Sequence, residues 1–349
     1  MVNDSMRLAI EIGPARADNL KSVVAWVRHA ERLGVAMAFS AEAWWSDSAT
    51  VLGYLAASTE RIRLATGIMQ TTARVPAMTA MTALTLHDLS GGRFVLGLGA
   101  SGPQVVEGLH GIRYQMPLAR LQETVDICRM VFAGEKVRYE GKVFQLPLPD
   151  SEGKVLRVAH DPVDIPIYLA TLGPRSLTYT GQAANGWLGT SFSPDHPDAH
   201  LRYLEAGAAQ SGRSLSELDL CVSVRVEIGD DVDEMIARRK QGVAFNMGGM
   251  GSATTNFYND AFQRAGFVDD ARAIQSLWLA GKREQAALRV PDAMVTEFQA
   301  LGTREMVAER LRRYRDAGVT TVKLGLDSAP QGKQRFELLE NIVDLMEGL

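Results

Sequence analysis

Gly97-Leu-Gly-Ala-Ser-Gly-Pro-Gln-Val-Val-Glu-Gly-Leu-His-Gly111 follows the apolar run Arg93-Phe-Val-Leu-Gly97 and carries glycines 97, 99 and 102 in a G-x-G-x-x-G spacing. A dinucleotide-binding fold puts this fingerprint at the first strand of a βαβ unit and an acidic residue at the end of the next strand, about 20 residues on. Neither condition holds. Three strand–helix units precede Gly97, the next strand begins near Ile165, and Glu123 falls in a helical stretch. In a closed α/β barrel, strand ends and the loops after them carry the chemistry. Glycines there either let a flat ligand lie on bare backbone or relieve crowding inside the barrel.

Outward from this stretch the chain alternates short β-like runs with amphipathic segments. Strands are expected at 7–13, 36–42, 62–69, 93–100, 165–171, 186–192, 219–228 and 321–326. Helices are expected at 18–33 (capped by Asp18 or Asn19), 48–59, 76–89, 117–133, from Pro174, at 197–211, from Asp230, at 303–317 and at 331–347. Eight βα units predict a (β/α)8 TIM barrel rather than an open sheet. Two insertions interrupt it. Residues 135–164 hold a hairpin turning at Glu140-Gly141, and residues 247–300 begin with GGMGSATTN and continue with helical segments, expected to form a mobile lid over the barrel mouth. No linker divides the 349 residues, so a single domain over 1–349 is expected.

Apolar residues make up 46% and charged residues 22%, with a formal charge of −4 and no basic tract. That argues against nucleic acid or an anionic membrane as partner. Cys128 and Cys221 sit in apolar patterns without a C-x-x-C, which predicts buried thiols in a reducing compartment. No leader-like N-terminus or membrane-length apolar run is evident, so a cytoplasmic protein is expected. No strand end gathers His with Asp or Glu, so no metal is expected.

The segment GLGASGPQVVEGLHG, preceded by ERIRLATGIMQTTARVPAMTAMTALTLHDLSGGRF, resembles the luciferase-like flavin oxidoreductases, in particular the branch that uses the deazaflavin coenzyme F420. AEAWWSDS (41–48), EGKVFQLPLP (140–149) and IPIYLATLGPRSLTYTGQAANGWL (165–188) agree. The resemblance covers most of the barrel and is weak over 247–300. SGPQVVEG is its most specific motif.

The resemblance implies a cis peptide at Gly67–Ile68 behind the coenzyme's central ring, where residues alone suggest an ordinary trans bond. It implies that Glu42 and Gln70 contact the coenzyme and that Ala100, Ser101, Gly102 and Gln104 lie beside it. Leu172-Gly173-Pro174-Arg175-Ser176 resembles the family's phosphate-binding turn. Glycine then proline opening a helix also leaves first-turn N–H groups facing an anion, although the same pair opens many plain helices. Glu42 and His110 are candidate acid–base groups, against a capping carboxylate and a structural histidine. Trp44, Trp45 and Arg74 are candidate substrate-pocket residues, and Arg74 and Arg113 candidate contacts for an acidic coenzyme tail or an anionic substrate. Plain readings are rim packing for the indoles and solvation for the arginines. Relatives of this family pair through barrel helices, so a homodimer is expected.

There is one informative departure. Members that oxidise sugar phosphates carry a histidine after the strand-two acid and a glutamate in the strand-four loop. Here those positions are Ala43 and Gly102. Oxidising an alcohol needs a base for the hydroxyl proton. The expected activity is therefore F420-dependent reduction of an activated double bond or carbonyl in a small organic substrate. The alternatives are a monooxygenase using flavin mononucleotide (FMN) and a non-catalytic flavin-binding carrier or sensor.

Overall fold

The computed structural model describes residues 6–326 and 333–348. In chain order the first elements are β1 (Arg7–Ile12), α1 (Leu20–Arg32), β2 (Met37–Ser40), α2 (Ser48–Ala56), β3 (Arg63–Thr66), β4 (Met69–Gln70), α3 (Pro76–Leu89), β5 (Phe94–Gly99), α4 (Pro103–Gly108), α5 (Pro117–Phe132), β6 (Tyr139–Glu140), β7 (Gln145–Leu146) and β8 (Ile167–Ala170). Then come α6 (Pro174–Ala183), β9 (Gly186–Gly189), α7 (Leu201–Gln210), β10 (Asp219–Ile228), α8 (Val232–Gly248), α9 (Phe257–Arg264), α10 (Val268–Leu279), α11 (Arg283–Leu288), α12 (Ala293–Thr296), β11 (Ala300–Gly302), α13 (Arg304–Asp316), β12 (Thr321–Gly325) and α14 (Lys333–Glu347). Strands β1, β2, β3, β5, β8, β9, β10 and β12 are the eight of a (β/α)8 barrel.

The described residues form two compact units, one of residues 12–170 with 184–186 and the other of the rest. In the first, β2, β3, β5 and β8 run parallel, with Phe39 opposite Ala65, Leu64 opposite Phe94 and Leu98 opposite Leu169. All of β5 is buried, as expected of a parallel strand covered on both faces. Helices α3 and α5 both start on proline, whose missing N–H costs nothing at that position. The expected 62–69 strand is in fact two, β3 and β4, divided at Gly67–Ile68, where the bond is cis. The hairpin is present, with Tyr139 opposite Leu146. Its turn is gripped by the buried Glu123 of α5, whose carboxylate accepts from the backbone N–H groups of Lys142 (2.7 Å), Val143 (3.0 Å) and Phe144 (2.8 Å). Glu123→Ala takes the acceptor away from three N–H donors at once. We expect a cost of about 2–4 kcal/mol, read as a fall in the urea midpoint. An unchanged midpoint would mean that water replaces the carboxylate without loss.

In the second unit β12 lies between β1 and β10, all parallel, with Lys323 opposite both Ala9 and Ser223. The expected strand 219–228 is β10 to the residue. The expected helix 197–211 is a 3₁₀ turn at Pro197–Ala199 followed by α7. The start expected for the last helix, at 331, lies outside the described residues.

In the 247–300 insertion the short strand β11 is unexpected. Helix α8 runs through Gly248, and a short strand, β11, closes the segment by pairing Ala300 with Val226 of β10. Between them α9 to α12 share an apolar core with α8, including Phe262 stacked on Phe298 at 4.1 Å. The polar stretch before α9 is pinned by Asn256. Its side chain donates to the carbonyl of Met247 (2.8 Å) and accepts from the N–H of Asn259 (3.0 Å). The helical segments expected after GGMGSATTN are α9 to α12. Among the described residues no helix is long and apolar enough to cross a membrane.

Candidate functional site

The residues after β2 and β4 meet in one polar chain. Glu42 follows β2, and its N–H donates to the Ile68 carbonyl at 3.0 Å. Its carboxylate pairs with Arg74 Nη1 at 2.6 Å, accepts from Ser48 Oγ at 2.9 Å and accepts from the Gln70 N–H at 3.1 Å. Gln70 Nε2 returns a bond to the Glu42 carbonyl at 2.8 Å, and Gln70 Oε1 lies 3.2 Å from His110 Nε2. Arg74 also pairs with Asp47, which caps α2 by accepting from the Thr50 N–H at 2.7 Å. Burial would raise the Asp47 pKa, but the Thr50 bonds and the Arg74 charge outweigh it and hold the carboxyl below the usual range.

Glu42, Asp47, Gln70, Arg74 and His110 line a cavity of about 430 Å³ together with Trp44, Trp45, Ala73 and Leu109. The two indoles stand edge to face at 5.7 Å, and both are exposed. Glu42, Gln70, Arg74, His110, Trp44 and Trp45, singled out on separate segments of sequence, thus share one recess.

The glycines of the opening stretch find their reason here. A Cβ on Gly99 would lie 2.5 Å from Ile68 Cδ1, and one on Gly67 would lie 2.9 Å from Phe39 Cδ1. The bare backbone of β5 makes room for Ile68 at the strand break. Gly102 is the N-cap of α4, a helix the sequence reading missed, and Ser101 before it takes the left-handed φ of 58°. The Ser101 carbonyl accepts from the Tyr114 hydroxyl at 3.2 Å, and burial pushes that phenol up to about 12. Ala100 is half-buried, and Gln104 and Arg113 are exposed.

Residues 172–176 belong to the other unit. Pro174 starts α6, and Ser176 Oγ donates to the Gly173 carbonyl at 2.9 Å. Arg175 is exposed. Arg264 of α9 donates to the Leu172 carbonyl at 2.6 Å and to the Ala199 carbonyl at 3.2 Å, so the insertion braces this turn.

Several groups escaped the sequence reading. Ser48 and Asp47 orient Glu42 and Arg74. Thr71 and Thr72, next in the chain to Gln70, bury hydroxyl oxygens with no hydrogen-bond partner among the described residues. Buried polar atoms are normally satisfied, so unpaired hydroxyls beside a recess suit a polar ligand. Short hydroxyl side chains in a loop carry no sequence signal for this.

Glu42→Gln keeps the shape and removes the charge facing Arg74. Asp47 still pairs with that arginine, so we expect a loss of only about 1–2 kcal/mol in urea unfolding, with weaker coenzyme binding. Full affinity in this variant would remove Glu42 from the site.

The sequence profile of the luciferase-like monooxygenase family matches residues 2–321. The chain is 37% identical to the putative coenzyme F420-dependent oxidoreductase Rv3520c of Mycobacterium tuberculosis, over 93% of this chain and 96% of that one. It is 29% identical to the 5,10-methylenetetrahydromethanopterin reductase of Archaeoglobus fulgidus, over 83% and 84%. The coenzyme F420 dependent tetrahydromethanopterin reductase of Methanopyrus kandleri superposes with a TM-score of 0.78 at 24% identity, covering 97% of each chain. With eight βα units and a strand break at Gly67–Ile68, the chain belongs to the luciferase-like monooxygenase family.

Proposed function

We propose that the chain is an F420-dependent oxidoreductase that reduces an activated double bond or a carbonyl in a small organic substrate. The F420 dependence in the names of the Mycobacterium tuberculosis relative and the Methanopyrus kandleri structure supports the cofactor. The observation that carries the reading is the polar chain His110–Gln70–Glu42–Arg74 on one cavity, next to the glycine backbone at Gly67 and Gly99.

These residues fit a flat, polar-edged coenzyme. The unpaired hydroxyls of Thr71 and Thr72 and the amide of Gln70 offer donors and acceptors, and the 67–68 backbone offers a surface. Within its own unit, the turn Leu172–Ser176 presents first-turn N–H groups of the kind that bind a phosphate. The coenzyme, when bound, supplies the hydride. Glu42 fixes Gln70 through its N–H and carbonyl and takes up the Arg74 charge, which is a positioning role. His110, held at Nε2 by Gln70, is the candidate to hold a proton for the substrate. Trp44 and Trp45 give the recess an apolar wall. With Ala43 and Gly102 where sugar-phosphate oxidisers carry His and Glu, the pair those members use is absent, which favours reduction.

The test is anaerobic. Reduced F420 is mixed with the protein and a series of conjugated enones, and reoxidation is followed by absorbance. Turnover with an enone, slowed in His110→Ala, is expected. Reduction of oxidised F420 by a sugar phosphate would overturn the assigned direction.

We further propose a homodimer through α2 and α3. Neither helix has a charged residue before His87; Met78, Met81 and Leu89 are exposed along an apolar groove, and Tyr54 is exposed on α2. A helix apolar on its outer face needs a cover. Light scattering should give twice the chain mass, and Met81→Asp should halve it. A monomeric wild type would refute this. A reducing, cytoplasmic compartment suits the two buried free thiols.

A further inference from the structure

The recess that follows β2 and β4 is lined by three acidic or basic side chains whose charges do not balance. Glu42 and Asp47 bring carboxylates, and Arg74 brings the single guanidinium. With His110 uncharged, negative charge is in excess by one. Arg74 is the lining residue that sequence alone offers to an anion, and the structure commits it elsewhere. Its Nη1 lies 2.6 Å from Glu42 Oε1, and its Nη2 pairs with Asp47. The Glu42 side chain is only 8% exposed, so water screens its charge poorly.

The neutral donors of the polar chain are spent as well. Gln70 Nε2 donates to the Glu42 carbonyl at 2.8 Å. That bond fixes which end of the amide is which, because a flipped amide would set Oε1 against a carbonyl oxygen. Oε1 therefore faces His110, and the ring 3.2 Å away donates to it from Nε2. A neutral His110 then has only the lone pair of Nδ1 left to offer. An incoming carboxylate or phosphate meets surplus negative charge and an arginine already held by two carboxylates.

The remaining wall is apolar. Trp44, Trp45 and Leu109 line the recess and are 61%, 42% and 59% exposed. The two indole planes meet at 83°, so they form a corner. Large apolar groups gathered in water around one cavity mark the place of a ligand's apolar body. The face of an indole is also the negative pole of its quadrupole, which attracts cations and repels anions. Charge balance and aromatic faces thus select in the same direction. We propose that this recess admits substrates with an apolar or aromatic body and no negative charge, and excludes carboxylates and phosphates of the same shape. The inference rests on the reading above that this recess receives the substrate. The selection by charge does not depend on which reaction follows.

The probes are three benzylideneacetones that differ only at the para position, which carries a methyl ester, a carboxylate or a trimethylammonium group. Their Kd values are measured by calorimetry on the full chain, with and without oxidised F420. The ester should bind about tenfold or more tighter than the carboxylate, and the ammonium at least as tightly as the ester. Asp47→Asn removes one negative charge and keeps the α2 cap, since asparagine can also accept from the Thr50 N–H. Arg74→Gln enlarges the negative surplus. The preference for ester over carboxylate should shrink in the first variant and grow in the second. As a ratio, it cancels any general loss of affinity. A carboxylate that binds as tightly as the ester or the ammonium overturns the proposal. So does a preference that neither variant moves, which would mean that shape selects and charge does not. Binding of none of the three overturns it too. If the order holds while none of the three reoxidises reduced F420, the selection stands and the oxidoreductase reading falls. If the ester is turned over while the order fails, the oxidoreductase reading stands and the selection falls.

Discussion

Gly207→Ala is expected to destabilise the protein by about 2–3 kcal/mol, a fall of roughly 5 °C in Tm. Helices α6 and α7 touch backbone to backbone. A Cβ on Gly207 would overlap the Thr178 carbonyl, and one on Gly181 would overlap the Leu204 carbonyl. A carbonyl inside a helix cannot swing aside as a flexible side chain can, so the helices must part and lose contacts along their length. Gly242→Ala is the matched control. It lies in α8 with nothing within 4 Å of the added carbon. There alanine only reduces the freedom of the unfolded chain, and a gain of about 0.5–1 kcal/mol is expected. The same substitution should therefore have opposite signs at the two positions. A Gly207→Ala protein that melts at the wild-type temperature would show that the two helices can separate freely.

The second large effect is a pH dependence from His200. The ring is fully buried, 5.3 Å from Trp187 and 5.9 Å from Phe192 between centroids. Neither ring nitrogen has a hydrogen-bond partner among the described residues. Burial, with the charge of Arg264 adding to it, lowers its pKa to about 3. In the unfolded chain the value returns to about 6.5. Between these two pH values the unfolded state binds a proton that the folded state refuses. The contribution is therefore complete above about pH 6.5 and is lost as pH falls towards 3. By pH 5 the loss is about 2 kcal/mol, and over the whole window about 5 kcal/mol. His200→Leu removes the titration and the two unpaired nitrogens. Its urea midpoint should fall less than that of wild type between pH 7.5 and pH 5. Equal falls would mean that the ring is protonated inside the fold.

The sequence carried the barrel because its strands are short apolar runs bounded by turn residues. Strand β10 is legible to the residue, since DLCVSVRVEI has a sharp start and a sharp end. The strand at 62–69 is not legible as two pieces, because nothing in IRLATGIM marks where the ladder breaks. Strand β11 is three residues long, below what any periodicity can show. Helix α4 has six residues and hides behind its glycines. At the site, residue types and the family resemblance pointed to Glu42, Gln70 and His110. Their linkage did not show, because Glu42 meets Gln70 and Arg74 across 28 and 32 residues of chain. The partners of Glu123 and the isolation of His200 are equally products of tertiary packing.

The most direct test of the whole account is a pair of equilibrium titrations of the purified chain, one with F420 and one with FMN, each followed by quenching of tryptophan fluorescence. Trp44 and Trp45 line the recess and report occupancy. Tight, saturable quenching by F420 and weak quenching by FMN are expected. Tight binding of FMN with none of F420 would contradict this and make oxygen uptake the next assay.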